Sequence, residues 1–413
     1  MPGVRPVRII ALIWLAWAVL LIGFQNLVAA RFEPRRPDYV LPWTPSETGH
    51  TSRDDKPYLI EPFMNAQVSW DSEFYLSIAT RGYDDPYVRG VFIPGVGSVS
   101  MNYAFFPFYP LVTGIVAVPL RVLGLNPVAA ATLAGVLISL LGALAAMLAL
   151  YDITRDELGR SGGLRAAFYL LIFPSGFFLA QVYTEGLFVG LAFVSLALLR
   201  RRHVAWALPA AAALAMLATW TRAVGLALVF PLALAWAREV DWGGLPARLP
   251  SWRTLARGLL VLAPILAHLI WRASLGAKFD LVEAYWFGRG LLVVERTLKN
   301  WQQIVAVLSA GEYPQTLAYY SIEVFGVALA LIACLAVARR YPGVALFGLA
   351  ATVVALTSGW PQSLIRYVLV APAIYIFLAR LGRHPAFDRA WTLASALLMG
   401  LLATLFTFDM WVA

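Results

Sequence analysis

Apolar runs long enough to cross a bilayer alternate with short polar intervals along most of the chain, and this alternation predicts an all-α fold of membrane-spanning helices. A hydrocarbon core about 30 Å thick takes about 20 apolar helical residues. A helix also satisfies its own backbone groups where no water can. Runs at residues 9–30, 127–150, 164–181, 186–199, 206–220, 223–236, 256–274, 317–337, 344–357, 367–381 and 391–408 meet or approach that length, which gives about eleven crossings. The first run follows Arg5 and Arg8 and is longer than the apolar stretch of a secretory signal. It therefore reads as an uncleaved span with its N-terminus inside.

Residues 105–123 are also apolar, but they hold Pro107, Pro110 and Pro119 and end near Arg121. They are expected to form an interfacial or re-entrant helix. Arginine clusters orient the remaining spans. Arg200, Arg201, Arg202 and His203 mark the inside, as do Arg155, Arg160 and Arg165, the interval 238–257, and Arg339 with Arg340. Two outer intervals result, a first loop over 31–123 with short interfacial helices and a second over 275–315, which includes an amphipathic run at 294–308. No composition shift marks a separate soluble unit, so residues 1–413 are expected to form one transmembrane domain, integral to the plasma membrane, with the C-terminus outside.

Composition sharpens this picture. Of 413 residues, 61% are hydrophobic and 13% charged, far from the balance of a soluble globular protein. The net charge of +9 sits in the short arginine clusters between spans, so it speaks for topology and not for nucleic acid as a partner. Cys334 is the only cysteine and His50, His203, His268 and His384 are scattered, which excludes a disulfide framework and a Cys/His metal site. There is no phosphate-binding loop and no nucleophile elbow.

Candidate chemistry concentrates in the first outer loop. Residues 69–83 read as a short helix with Asp71 and Glu73 in its first turn, an apolar face of Tyr75, Ile78 and Ala79, and Gly82 as its stop. Local chemistry alone leaves two roles for Asp71, a helix cap or a working carboxylate, and Trp70 doubles as an interface anchor. Where this loop returns to the membrane the sequence is Asn102-Tyr103-Ala104-Phe105-Phe106-Pro107-Phe108-Tyr109-Pro110. Acids beside an aromatic, lipid-facing groove are the result. Glu185 stands in an apolar hairpin tip, where a carboxylate calls for a partner such as Arg222. Arg222 and Arg366 lie at outer span ends, where the positive-inside rule predicts few arginines, so each reads either as a snorkelling side chain or as a ligand for an anion. Asp84 and Asp85 read as turn residues.

The run Trp-Asp-x-Glu-Phe-Tyr-Leu-x-Ile-Ala-x-x-Gly-Tyr from Trp70, followed by Ala-Phe-Phe-Pro-x-Tyr-Pro at 104–110, resembles the glycosylphosphatidylinositol mannosyltransferase 2 (PIG-V-like) family and its prokaryotic relatives. The resemblance continues through 173–178, 183–188 and Thr221-Arg222, covers roughly the first 240 residues, and thins afterwards to Arg366-Tyr367. It implies a GT-C fold and inverting transfer of a sugar, typically mannose, from a polyprenyl phosphate to a lipid or glycan acceptor on the outer face. Carried over, Asp71 would be the base, with Glu73 as its partner in orienting the acceptor. Arg222 and Arg366, with Phe105, Phe106 and Tyr109, would hold the donor's phosphate and lipid, and Trp70, Tyr103, Tyr183 and Glu185 would form the wall of the site. No obligatory metal is implied, although Asp71 and Glu73 are the pair a divalent cation would use. The competing reading is a lipid-linked-saccharide transporter or flippase, which predicts midplane charges and repeat symmetry. Here the acids gather instead in a long outer loop.

Overall fold

The computed structural model describes residues 5–201, 203–240, 251–290, 292–311 and 313–412. Arg202 and residues 241–250, which belong to two of the expected inside segments, lie outside the described residues. Among the described residues five helices are long and apolar enough to cross a membrane: Pro6–Arg31, Pro127–Ile172, Trp252–Phe287, Pro314–Val337 and Pro385–Thr407. A sixth crossing is available if the bent pair Leu364–Val370 and Pro372–Leu381, which turns through 83°, counts as one span. Phe108–Leu123, Glu185–Leu198, Ala207–Thr221, Ala223–Ala237 and Pro342–Leu356 are apolar but shorter. At about 1.5 Å per residue the shorter ones fall below the hydrocarbon thickness. The chain is a helical, multi-pass membrane protein, and helix length accounts for only part of the eleven expected crossings.

Two expected boundaries move. Spans expected at 127–150 and 164–181 are two helices that meet at Gly159, where φ is +69° and the chain folds back so far that a Cβ at Gly163 would lie 2.8 Å from the Tyr151 ring; the second helix ends at Ile172. A loop is unnecessary there because glycine alone supplies the left-handed turn. The remainder of the expected span, from Phe173, is irregular backbone with a short turn at Gly176–Ala180. It is buried throughout, the condition under which non-helical backbone is tolerated at membrane depth. Similarly, residues 275–287, expected in an outer loop, continue the Trp252–Phe287 helix.

Polar contacts identify the two ends of the bundle. At one end Arg165 pairs with Asp388 at 3.1 Å, Arg380 with Glu157 at 2.9 Å and Arg200 with Asp156 at 3.2 Å. Asp388 opens the Pro385–Thr407 helix, about 35 Å long at the usual rise per residue. Just beyond its far end, Asp409 pairs with Arg53 of the long loop at 3.2 Å. The arginine clusters and the loop thus occupy opposite ends.

Close helix approach holds the centre. A Cβ at Gly142 would sit 2.2 Å from the carbonyl oxygen of Gly186, and one at Gly186 would sit 2.3 Å from that of Ser139. Small residues let the Pro127–Ile172 and Glu185–Leu198 helices meet backbone to backbone, as membrane helices commonly do. The loop is then fastened to this centre. The Val182 amide donates to the Gln67 carbonyl at 3.2 Å, Ser72 Oγ donates to the Val182 carbonyl at 3.1 Å, and Gln25 Nε2 of the first helix donates to the Ala66 carbonyl at 3.1 Å.

Candidate active site

The acidic motif opens the helix Ser72–Arg81, which ends at Gly82 with φ +90°. Asp71 occupies the cap position, yet its carboxylate accepts no hydrogen bond from the first turn. Trp70 explains why. Its φ of +49° is in the left-handed region, uncommon for a residue with a bulky side chain. It is held there by an indole donation to the Met410 carbonyl at 3.2 Å and by edge-on contact with Trp43 and Trp411. Behind it, Tyr183 accepts from the Asp71 amide and donates to the Ser69 carbonyl, both at 3.2 Å. The backbone is therefore set so that the Asp71 side chain leaves the helix axis and meets Arg366 Nη1 at 3.0 Å. The cap role is not the one the structure assigns.

Three arginines gather around the Tyr367 ring, one of them the Arg366 that holds this carboxylate. Arg222, Arg289 and Arg366 place their guanidinium carbons 5.3, 5.3 and 5.2 Å from the centre of the Tyr367 ring, within cation–π range. Arg222 is ion-paired to fully buried Glu185 and donates to Thr184 Oγ1 at 3.0 Å. Arg366 pairs with Asp71 and lies 3.6 Å from Glu185. Arg289 donates to the Tyr367 hydroxyl, and no carboxylate lies within ion-pair distance of it among the described residues. Burial and the adjacent Arg366 hold its guanidinium below the ordinary arginine value, with Glu283 and Asp71 opposing. Three arginines thus meet two carboxylates in ion-pair contact, Asp71 and Glu185, while Glu283 lines the same cavity within electrostatic reach of Arg289, and planar guanidinium donors of this kind suit an anion.

A cavity of about 1080 Å³ runs past these groups. Arg222, Arg289, Arg366 and Asp71 line it, with apolar walls from Val224, Leu226, Leu269, Ala351 and Val354 on the helical side. On the loop side Trp43, Glu47, Lys56, Glu73, Arg89 and Trp411 line it. The Asp71 side chain is 25% exposed, so a substrate can reach it. Glu73 faces elsewhere. Its residue is 1% exposed, and burial pushes its carboxyl up to about 7, with Arg89 and Lys56 opposing. Asp71 pairs with Arg366, whereas Glu73 Oε1 has no hydrogen-bond partner among the described residues. No group of three His, Cys, Asp or Glu side chains among the described residues is placed to hold a metal.

Of the residues singled out in the sequence, Asp71, Glu73, Trp70, Phe105, Phe106, Arg222 and Arg366 line this cavity. Four do not. Tyr109, expected on the donor lipid, is fully buried beneath Tyr75 and donates to the Gly135 carbonyl at 3.1 Å. Tyr103, expected in the wall, turns away to donate to Asp84 at 2.8 Å and to accept from Lys278 at 2.9 Å. Tyr183 and Glu185 stand behind the wall, one setting the Asp71 backbone and the other neutralising Arg222. In each case the hydroxyl or carboxylate found a partner in the protein itself. Arg289, Arg89, Lys56, Trp43 and Trp411 were missed. Arg289 carried the same signal as Arg222 and Arg366, an arginine on the outer side against the charge rule.

The sequence matches the family described as mannosyltransferase (PIG-V) over residues 52–234, the family its motifs resemble. That match includes Asp71, Glu73 and Arg222 and ends before Arg289 and Arg366. No curated protein matches the chain. Among solved structures it is similar to ArnT from Cupriavidus metallidurans bound to undecaprenyl phosphate, at 15% identity and a TM-score of 0.47, over 93% of this chain and 63% of that one. It is also similar to the Archaeoglobus fulgidus oligosaccharyltransferase in complex with Zn and sulfate, at 16% identity and a TM-score of 0.44, over 96% of this chain and 53% of that one. The chain therefore spans less than two thirds of the length of either.

Proposed function

We propose that residues 1–413 form a single GT-C-type glycosyltransferase domain that moves a sugar, with mannose as the sugar favoured by the family match, from a polyprenyl-phosphate donor to a lipid or glycan acceptor. The observation that carries this reading is the placement of Asp71 against three arginines in one cavity whose walls pass from apolar helices to a polar loop. The donor's isoprenoid tail lies along Val224, Leu226, Leu269, Ala351 and Val354, beside Phe105 and Phe106, and its phosphate meets Arg289 first, because among the described residues no carboxylate is in ion-pair contact with that guanidinium. Arg222 and Arg366 then add charge around the same anion.

In the transfer step the acceptor hydroxyl oxygen forms a bond to the anomeric carbon as the carbon–oxygen bond to phosphate breaks, with inversion. The bonding pair stays on the phosphate, which leaves without a proton, so no general acid is needed. The acceptor's proton passes to Asp71, whose Oδ2 is held by Arg366 and whose other oxygen is free to accept it. Held arginines stabilise the developing phosphate charge without reorganising. Under this reading the loop end is the outer face of the plasma membrane and the arginine-cluster end is cytoplasmic, with the N-terminus on the cytoplasmic side.

The test is transfer of labelled mannose from polyprenyl-phosphate-mannose to membrane extracts by the purified protein, with Asp71→Asn alongside. Transfer by wild type and its loss in a folded Asp71→Asn are expected. An inactive wild type, or an Asp71→Asn that matches an active one, overturns the reading.

A further inference from the structure

The helix Val294–Ala310 lies beyond the residues of the family match, and the transfer chemistry makes no use of it. Thr297, Asn300 and Ile304 on its inner side are buried. Val294, Leu298 and Val305 fall together on one outer face at helical spacing, and they are 49, 58 and 57% exposed. Glu295 and Lys299 form a separate polar edge, largely exposed and paired with each other at 2.8 Å.

Position decides what covers the apolar stripe. In the chain this helix falls between the spans Trp252–Phe287 and Pro314–Val337, at their ends on the loop side of the bundle. Ile304 shares a buried cluster with Tyr319 and Tyr320, in the second turn of the Pro314–Val337 span, and with Val40 and Leu41 of the long loop. At about 1.5 Å per residue the helix therefore packs within about 10 Å of the span's end, the depth of the boundary between headgroups and acyl chains. Tyr313 and Leu317, which follow in the chain, are exposed as well and lead to the exposed Val324 and Ile332 on the span's lipid side. A second copy of the chain is the weaker occupant, since a stable protein interface takes about 20–30 residues a side. Charge narrows the partner further. Glu295 offsets Lys299, and Arg296 donates to the Gly288 carbonyl at 2.9 Å, so the helix offers no basic patch to anionic headgroups.

We infer that this helix lies in the plane of the leaflet at the loop end, its apolar stripe seated among the acyl chains whatever the headgroup charge, and that it holds Arg289 and Arg366 at a fixed depth below the surface. Its inner face and entry do the holding. Asn300 Nδ2 donates to the Gly359 carbonyl at 3.0 Å, and the Gly359 amide donates to Thr297 Oγ1 at 3.1 Å. The Gly290 amide donates to the Ser358 carbonyl at 3.0 Å, and the Val293 amide donates to the Thr357 carbonyl at 2.8 Å. Gly359, at φ +116°, comes so near that a Cβ there would lie 2.7 Å from the Gly288 carbonyl oxygen. Gly288 precedes Arg289, and the turn through Gly359 leads to Arg366. One membrane-seated element thus fixes both arginines. The depth role rests on the polyprenyl-phosphate reading above, whereas the seating stands independently of it.

Site-directed fluorescence on the full-length protein tests the seating, because Cys334, the only cysteine, is buried and does not compete for the label. Leu298→Cys, Val305→Cys and Glu295→Cys each carry an NBD label in liposomes of phosphatidylcholine alone. At 298 and 305 the label is expected to be quenched by doxyl-labelled lipid and spared by iodide, and at 295 the reverse. Iodide quenching at 298 and 305 that equals the quenching at 295 overturns the seating. Protection there from both quenchers marks a protein partner and overturns it as well. The depth role is read by titration in nanodiscs. Leu298→Asp combined with Val305→Asp is expected to weaken binding of a long polyprenyl monophosphate about fivefold or more, and to leave binding of a short, water-soluble prenyl monophosphate unchanged. Equal loss for both ligands, the mark of a merely structural defect, or loss for neither overturns that role. A wild type that binds neither phosphate overturns the donor reading and the depth role with it, while the quenching still decides the seating.

Discussion

Asp71 and Arg366 stand 295 positions apart in the chain and meet at 3.0 Å, carboxylate oxygen to guanidinium nitrogen. The pair joins the loop to the bent helix pair at the far end of the sequence and brings the proposed base to the proposed phosphate ligands. Arg366→Lys keeps the charge but loses the planar fork that reaches Asp71 and Glu185 together. It is expected to lower kcat about tenfold to a hundredfold in the mannose-transfer assay. Asp71→Asn is expected to lower it by about 10² to 10⁴.

Arg289 and Arg222 separate binding from stability. Arg289 has no ion-pair partner among the described residues, so Arg289→Ala should leave the thermal midpoint within a few degrees while weakening polyprenyl-phosphate binding about tenfold or more, measured by titration. Arg222→Ala leaves the buried Glu185 only the longer contact to Arg366 at 3.6 Å, and removing one partner of a buried pair costs up to about 3–5 kcal/mol. Its thermal midpoint should fall well below that of Arg289→Ala, and adding Glu185→Leu should recover part of the loss.

Glu73 gives stability a pH dependence of known sign. Its carboxyl is raised to about 7 in the folded protein against 4.5 unfolded, chiefly by burial. Between those values the folded state holds a proton that the unfolded state has lost, so stability falls as pH rises from about 4.5 and levels off above about 7. The upper limit of the effect is about 3 kcal/mol at about 1.4 kcal/mol per unit. Denaturation midpoints of Glu73→Gln measured from pH 4.5 to 8 should lack this component, leaving a flatter profile than wild type.

Gly142→Ala probes the helix contact beneath the site. Its Cβ would lie 2.2 Å from the Gly186 carbonyl oxygen, which is backbone and cannot rotate away. A loss of about 1–3 kcal/mol or more is expected from such overpacking. Thermal unfolding followed by size-exclusion chromatography should show a lower midpoint and earlier aggregation, whereas Gly23→Ala, with nothing within 4 Å, should match wild type.

By itself the sequence determined the solvent and the class of structure, because runs such as 317–337 and 391–408 are too apolar and too long for anything but membrane helices. It also located the helix Ser72–Arg81, its stop at Gly82, the Glu185–Arg222 pair and the acidic motif, since capping, breaking and charge pairing act over a few residues or through a cost no buried carboxylate escapes. Tertiary structure alone decided the rest. Gly159 could as readily have stood in a loop, and the backbone merely turns there. Whether Asp71 caps its helix or leaves it depended on Trp70, held by Met410 and Trp411 from the other end of the chain. Tyr103 and Tyr109 carried the right motif but were drawn to Asp84 and Gly135. That Arg289 has no carboxylate within ion-pair distance among the described residues became visible only in space. Side-chain direction and charge balance are set by contacts between distant segments, and local sequence chemistry does not encode them.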